Sequence, residues 1–367
     1  MDDRSRRPVL ALVPALIAVL WLPVVAMGLQ PQFDSELNEP PLERSVFVGQ
    51  PIDGDVSRVI SMLEGSWKTL AATGDSEGEP AVWMHMLPFE TELLGRAIYV
   101  EVHADGTPWL PVQQMIFRVY RFGDELRLRT YEFREPERAH VLANLWLAPK
   151  HIPLDTIRAD ELIPTMDLVL ERARGGYSGS TPMAYPTGEY AAVERRVSMT
   201  IRPDELVSAE TLYGVDGQAL PSVGTGERRW ARAQLPATVE IGEDGLVIIE
   251  LEPGRTDGPP TDEGDILFIN YEGWRTDGVL FDSTLVGGLA LRTVYPPRVI
   301  GGFRHGIEPM VEGLRRKLII PPELGYGQAA VQGIPPGSTL IFHIHILKIE
   351  QSPAMPMEDR VKRLDRP

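Results

Sequence analysis

Hydrophobic and polar positions alternate in two different rhythms along this 367-residue chain, and the change of rhythm divides it. Residues 8–28 are an almost unbroken apolar run. Residues 29–54 are polar and carry Pro31, Pro40, Pro41 and Pro51, the composition of a linker. Val56, Ile60 and Leu63 then recur at helical spacing, and Gly65 is placed to stop that helix. Beyond it the period is two. Ile98, Val100 and Val102 alternate with polar neighbours, and so do Val193, Val197, Met199 and Ile201, closed by Arg202-Pro203-Asp204. Residues 116–122 and 125–133 face each other across Gly123-Asp124, which predicts a hairpin. Many short strands with few helical patterns predict an antiparallel β domain over 55–235, a barrel or a sandwich. No internal repeat interrupts it.

A second alternating series fills 236–351. Strands are expected at 246–251, 265–271, 315–320 and 338–349. A helix is expected where Ile307, Met310 and Val311 share a face ahead of Gly313. Antiparallel strands with one short helix make an α+β unit. The tail, 352–367, mixes proline with charge and is expected to be disordered.

The N-terminal run has a further meaning. Arg4, Arg6 and Arg7 precede it and Ala26-Met27-Gly28 ends it, the form of an export signal spanning 1–28. Its length is also near that of a membrane span, so an uncleaved anchor is the alternative. Ser5-Arg6-Arg7 with Val9-Leu10 has the form of a twin-arginine signal, which leaves the export route open. Each version places the rest of the chain beyond a membrane, in a periplasm, secreted or anchored.

Composition removes whole classes of chemistry. The chain has no cysteine, hence no disulfide, thiolate nucleophile, iron–sulfur cluster or cysteine-based zinc site. The net charge of −16 argues against a general nucleic-acid binder, which needs a basic surface. His343 and His345 share a strand face, but no third ligand is evident in the sequence, so they read as solvated strand positions and no metal site is predicted. His305 and Glu308 read as surface residues.

The candidate chemistry lies in the second series. Tyr271-Glu272-Gly273, Gly278 to Ser283 with Phe281-Asp282, Val299-Ile300-Gly301-Gly302-Phe303, the segment from Ile320 to Gly327 with Tyr326, and Ile334-Pro335-Pro336 occur in that order. The last strand puts Leu340, Phe342, Ile344 and Ile346 on one face. Apolar and aromatic residues with a few polar tips compose either a ligand pocket or a plain core, and periodicity does not separate them.

These segments, from about Gly242 to Gln351, resemble the FKBP-type peptidyl-prolyl cis-trans isomerases in order and spacing. The resemblance implies a half-wrapped antiparallel sheet around a short helix. It implies a pocket lined by Tyr271, Phe281, Val299, Ile300, Phe303, Ile334 and Phe342, with Asp282 and the Tyr326 hydroxyl at its polar edge. The Ile300 N–H would meet a substrate carbonyl. Tyr271, Asp282, Ile300 and Tyr326 would be catalytic; Phe281, Val299, Phe303, Ile334 and Phe342 would bind substrate. No cofactor is implied. Implied partners are proline-containing polypeptides and a macrolide ligand.

The chain departs from the family pattern at two places. Phe303 stands where the floor aromatic is often Trp, and 283–287 lacks the arginine that often pairs with the pocket carboxylate, leaving Asp282 to Tyr271 or to backbone donors. The strand at 289–294 aligns poorly, and no pocket residue is assigned there.

The first domain more faintly resembles phycobiliprotein chromophore lyases of the CpcT/CpeT type. The resemblance rests on Leu63 to Trp67, Ile98 to Glu101, Arg118 to Arg121, Tyr177 to Thr181 and Leu212-Tyr213-Gly214. It implies a calyx-like barrel. Met183-Ala184-Tyr185-Pro186 stands where cysteines are expected, so the fold carries over and the lyase reaction does not. Arg118, Arg121 and Glu101 either line a ligand cavity or form salt bridges. The function expected is an exported prolyl isomerase assisting protein folding. The alternatives are a non-catalytic binding or chaperone module and a tetrapyrrole or lipophile carrier built on the barrel.

Overall fold

The structure, a computed structural model, describes residues 53–70, 81–91, 93–104, 111–148, 154–187, 192–220, 227–234, 238–255, 257–258, 261–331 and 333–352. The expected export signal, the linker ahead of Asp53 and the tail beyond Ser352 lie outside the described residues. No helix among the described residues is long and apolar enough to cross a membrane. The described residues form two compact units, one within Met1–Pro136 and Leu154–Leu235, the other within Glu137–Pro153 and Pro236–Pro367.

The first unit opens with helix α1 (Gly54–Leu63). Asp53 caps it: Oδ1 accepts from Asp55 N at 2.7 Å and Val56 N at 3.1 Å, satisfying two otherwise orphaned donors. Its buried face is Val56, Val59, Ile60 and Leu63, the expected stripe. At Gly65 the backbone takes φ 114, which glycine adopts at low cost, and enters β1.

Strands β1 (Gly65–Thr69), β2 (Val82–Thr91), β3 (Gly95–Ala104), β4 (Pro111–Phe122) and β5 (Glu125–Phe133) follow. Helix α2 (Pro136–Leu142) comes next and groups with the second unit from Glu137 on. Then come β6 (Leu162–Ala173), β7 (Gly176–Ser180), β8 (Tyr185–Pro186), β9 (Glu194–Ile201), β10 (Glu205–Tyr213) and β11 (Glu227–Arg232). Every pairing is antiparallel. The order β10-β11-β1-β2-β3-β4-β5-β6-β7-β9 closes through β9–β10 into a barrel, with β8 added on β9. Closure removes the sheet edges.

One face of every long strand meets in a single core with α1. Trp67, Val100, Phe117, Leu128, Leu168, Met199 and Trp230 are all buried there. Ile98, Val100 and Val102 take their expected inward places, and the β4–β5 hairpin turns at Gly123 with φ 58. The 193–201 row is only partly as expected. Val193 precedes β9 and is exposed, while the inward position at 195 carries a buried Arg195, 3.7 Å from Glu210.

The three charged candidates of this unit all engage neighbouring side chains. Glu101 is fully buried, accepting from Tyr99 Oη at 2.6 Å with His103 Nε2 also 2.6 Å away. The Arg118 guanidinium stacks over Tyr120 at 4.7 Å. Arg121 pairs with Asp53 at 2.9 Å and Asp55 at 2.8 Å, where Arg172 and Tyr177 Oη also converge on Asp55. That cluster fastens the N-terminal end of α1 to β4, β6 and β7.

In the second unit the strands are β12 (Thr238–Ile241), β13 (Val247–Pro253), β14 (Ile266–Arg275), β15 (Leu280–Ser283), β16 (Leu291–Val294), β17 (Leu314–Ile320) and β18 (Leu340–Glu350). The helices are α3 (Thr284–Gly287) and α4 (Gly301–Gly306). The sheet order is β12-β13-β17-β18-β14-β15, with β16 also paired to β14. All four expected strands are present. The expected helix is not where periodicity put it: α4 ends before Ile307. Pro309 explains this, since it lacks an N–H and disfavours the helical region for the residue before it. Ile307 and Met310 are buried nonetheless, packed from a turn. Helix α4 lies very close to β17. A Cβ on Gly302 would stand 2.4 Å from Ile320 Cγ2, and one on Gly306 would stand 2.3 Å from Leu318 Cδ1.

Candidate functional site

The inner face of β14 and β18 carries Leu267, Ile269, Phe342, Ile344 and Ile346, all buried, with Tyr271 packed against them. Four aromatic rings converge at its upper end. Phe342 lies at the centre: its centroid is 5.2 Å from Phe303 and 5.6 Å from Phe281, both edge-on, and 6.1 Å from Tyr271. Tyr271 meets Phe303 edge-on at 5.6 Å. Edge-to-face contact of this kind is the favoured geometry for aromatic pairs. Phe303 comes from α4, Phe281 from β15, and Val299 and Ile300 from the segment before α4, half-buried on the same core. Ile334 is buried there as well.

Gly273 makes this convergence possible. A Cβ at that position would stand 2.7 Å from Phe281 Cζ and 2.8 Å from Phe342 Cε1. The glycine of the Tyr-x-Gly motif therefore gives two rings the space to approach the strand. Thr284 also escaped sequence reading. Its Oγ1 accepts from Tyr271 N at 2.9 Å and so fixes the strand at the tyrosine. A hydroxyl just after Asp282 was visible, but its reach back to β14 depends on tertiary pairing.

The polar rim is built on Tyr271. Its hydroxyl donates to Asp282 Oδ2 at 2.6 Å. Burial, reinforced by the hydrogen bond to Asp282 and that carboxylate's charge, raises the Tyr271 hydroxyl pKa well above its ordinary value, and Tyr326 adds to the effect. The phenol thus stays a donor across the working pH range. Asp282 itself is exposed, and among the described residues no arginine pairs with it. Ser283, not Asp282, caps the next turn, accepting from Leu285 N at 3.1 Å. Tyr326 is 37% exposed, on the loop after β17. Among the described residues the Ile300 N–H donates no hydrogen bond, while its carbonyl accepts from Arg304 N at 3.1 Å.

Aromatic rings packed on the inner face of an antiparallel sheet, with a carboxylate–phenol pair and the Ile300 N–H beside them, are what the fold brings together here. The model of the FKBP-type peptidyl-prolyl cis-trans isomerase family matches residues 258–347. An FK506-binding protein of Neisseria meningitidis is 40% identical over 107 residues, 29% of this chain and 96% of that protein. The FKBP-type isomerase FkpA of Escherichia coli is 37% identical over 115 residues, 31% of this chain and 42% of its own length. A crystal structure of that FkpA covers 31% of this chain and 53% of its own with a TM-score of 0.29. The chain belongs to the FKBP-type peptidyl-prolyl cis-trans isomerase family. It spans about two fifths of the FkpA sequences it matches.

Proposed function

We propose that the protein is an exported prolyl isomerase that assists the folding of proline-containing polypeptides. The observation that carries this reading is the ring of Tyr271, Phe281, Phe303 and Phe342 closed at one edge by the Tyr271–Asp282 pair. Rotation about a peptide bond faces a barrier of ~18–20 kcal/mol because resonance holds the amide planar. Before proline the cis and trans forms lie close in energy but exchange slowly. No bond breaks, so the site needs only to bind the twisted amide better than the planar one.

An apolar recess does this by disfavouring the charge-separated resonance form. Phe281, Val299, Phe303, Ile334 and Phe342 would hold the prolyl ring. The Ile300 N–H and Tyr326 hydroxyl would hold carbonyl oxygens as the bond turns, and Asp282 with Tyr271 would set the polar edge. Export is supported by the pattern of residues 1–28, and the pocket composition suits macrolide binding as well as a peptide.

The test is the cis–trans exchange rate of an X–Pro peptide with the full chain. Acceleration that falls about tenfold in Asp282→Ala, the loss of one charged hydrogen-bonding group, is expected. A fully active Asp282→Ala, Tyr326→Phe double variant would remove the assigned rim. No acceleration by the intact protein would leave a binding module without catalysis.

A further inference from the structure

On the face of β14 and β18 opposite the pocket, three ligand-type side chains converge. Glu272 and His343 are cross-strand partners in the β14–β18 register. His140, in the last turn of α2, stands over them. His140 Nε2 lies 3.1 Å from Glu272 Oε2 and 3.1 Å from His343 Nδ1, with the two imidazole centroids 4.7 Å apart. Helix α2 is held in place independently. The buried Lys317 ammonium donates to Val141 O at 2.6 Å and to Ala143 O, and Arg138 Nη1 donates to Thr276 O at 2.9 Å.

Proton arithmetic shows why these three atoms are ill-matched on their own. An ionised Glu272 only accepts, and each neutral imidazole has one N–H and one bare nitrogen. If His140 Nε2 carries its proton toward Glu272, it offers no lone pair to a proton on His343 Nδ1. If Nε2 is bare, it meets the carboxylate as acceptor against acceptor. One hydrogen cannot serve both 3.1 Å contacts well, whichever tautomers are chosen. His343 Nε2 is buried and has no hydrogen-bond partner, so that side of the ring does not select a tautomer.

We propose that His140, Glu272 and His343 form a binding site for a divalent transition metal of the zinc class. Two imidazole nitrogens and a carboxylate are the N/O donor set such ions take, with a fourth position left for water. The three donor atoms all lie within 4.8 Å of one another, and a tetrahedral zinc site needs them about 3.3 Å apart. His140 is a third exposed, so ion and water have access from solvent. The Lys317 ammonium opposes a cation by charge. That charge is shared with two backbone carbonyls, and the Glu272 carboxylate offsets it at the ligands themselves. A bound ion would join α2 to the two central strands of the sheet. His345, two residues along the same strand face, lies outside the cluster; His343, expected to be a solvated strand position, has its Nε2 buried instead.

The test is titration of the full-length, untagged protein with Co2+, followed by its visible d–d absorbance, and then displacement by Zn2+. One saturable site is expected, with absorbance of tetrahedral or five-coordinate strength. His140→Ala and Glu272→Gln should each weaken it by about tenfold or more, the usual scale for disturbing a metal site. His345→Ala should leave it unchanged. Both ligand variants alter partly exposed side chains, so they report even if His343→Ala fails to fold. No saturable Co2+ or Zn2+ binding, or binding equally tight in His140→Ala and Glu272→Gln, would overturn the site.

Discussion

Gly273 shows how much a missing side chain can decide. Its neighbours Phe281 and Phe342 occupy the space a Cβ would need, at 2.7 and 2.8 Å. Gly273→Ala should cost about 1–3 kcal/mol of stability, the usual penalty for forcing a methyl into a packed site. Urea denaturation would read that loss. A variant as stable as the parent would mean that the rings do not approach the strand as described. The alternation of Leu340, Phe342, Ile344 and Ile346 was legible in the sequence because a strand's two faces have fixed parity. The need for Gly273 was not, since it arises between β14, β15 and β18. The same holds for Asp282: its lack of an arginine partner could be read in 283–287, but only the fold shows the Tyr271 hydroxyl taking that place at 2.6 Å.

Among elements, β2 and β3 carry a burial pattern with a pH consequence. His85 on β2 is buried, with Nδ1 2.8 Å from Ser66 Oγ and its ring 5.4 Å from His103. Burial foremost, then the His103 charge, push its pKa down to about 3, against a smaller opposing pull from Glu101. The folded state therefore refuses a proton that the unfolded chain accepts near pH 6.5. This contribution to stability is present above about pH 6.5 and is lost as pH falls from there toward about 3. Denaturant midpoints of the barrel measured between pH 7 and 4.5 should fall less steeply in His85→Gln than in the parent. Superimposable profiles would contradict a neutral, buried His85. The strands themselves were legible because period two is a strong signal. Helix α4 was not, because Ile307, Met310 and Val311 mimic a helical stripe that Pro309 prevents from forming.

For the whole molecule, two separate β-rich series were legible, the first as a barrel or a sandwich and the second as an FKBP-type unit; closure of the first into a ten-strand barrel is seen only in the fold. The part the sequence concealed is that the second unit also takes in Glu137–Pro153, a segment flanked on both sides by barrel strands. His140 and His343 stand 203 residues apart, and no local pattern links them. The central claim remains that the aromatic recess is a working isomerase site. Refolding of a client limited by proline isomerisation, with catalytic amounts of the full chain, tests it most directly when run with and without a macrolide FKBP ligand. A faster slow phase that returns to the uncatalysed rate once macrolide equals the protein is the predicted result. An unaltered slow phase, or an acceleration that the macrolide leaves untouched, would contradict it.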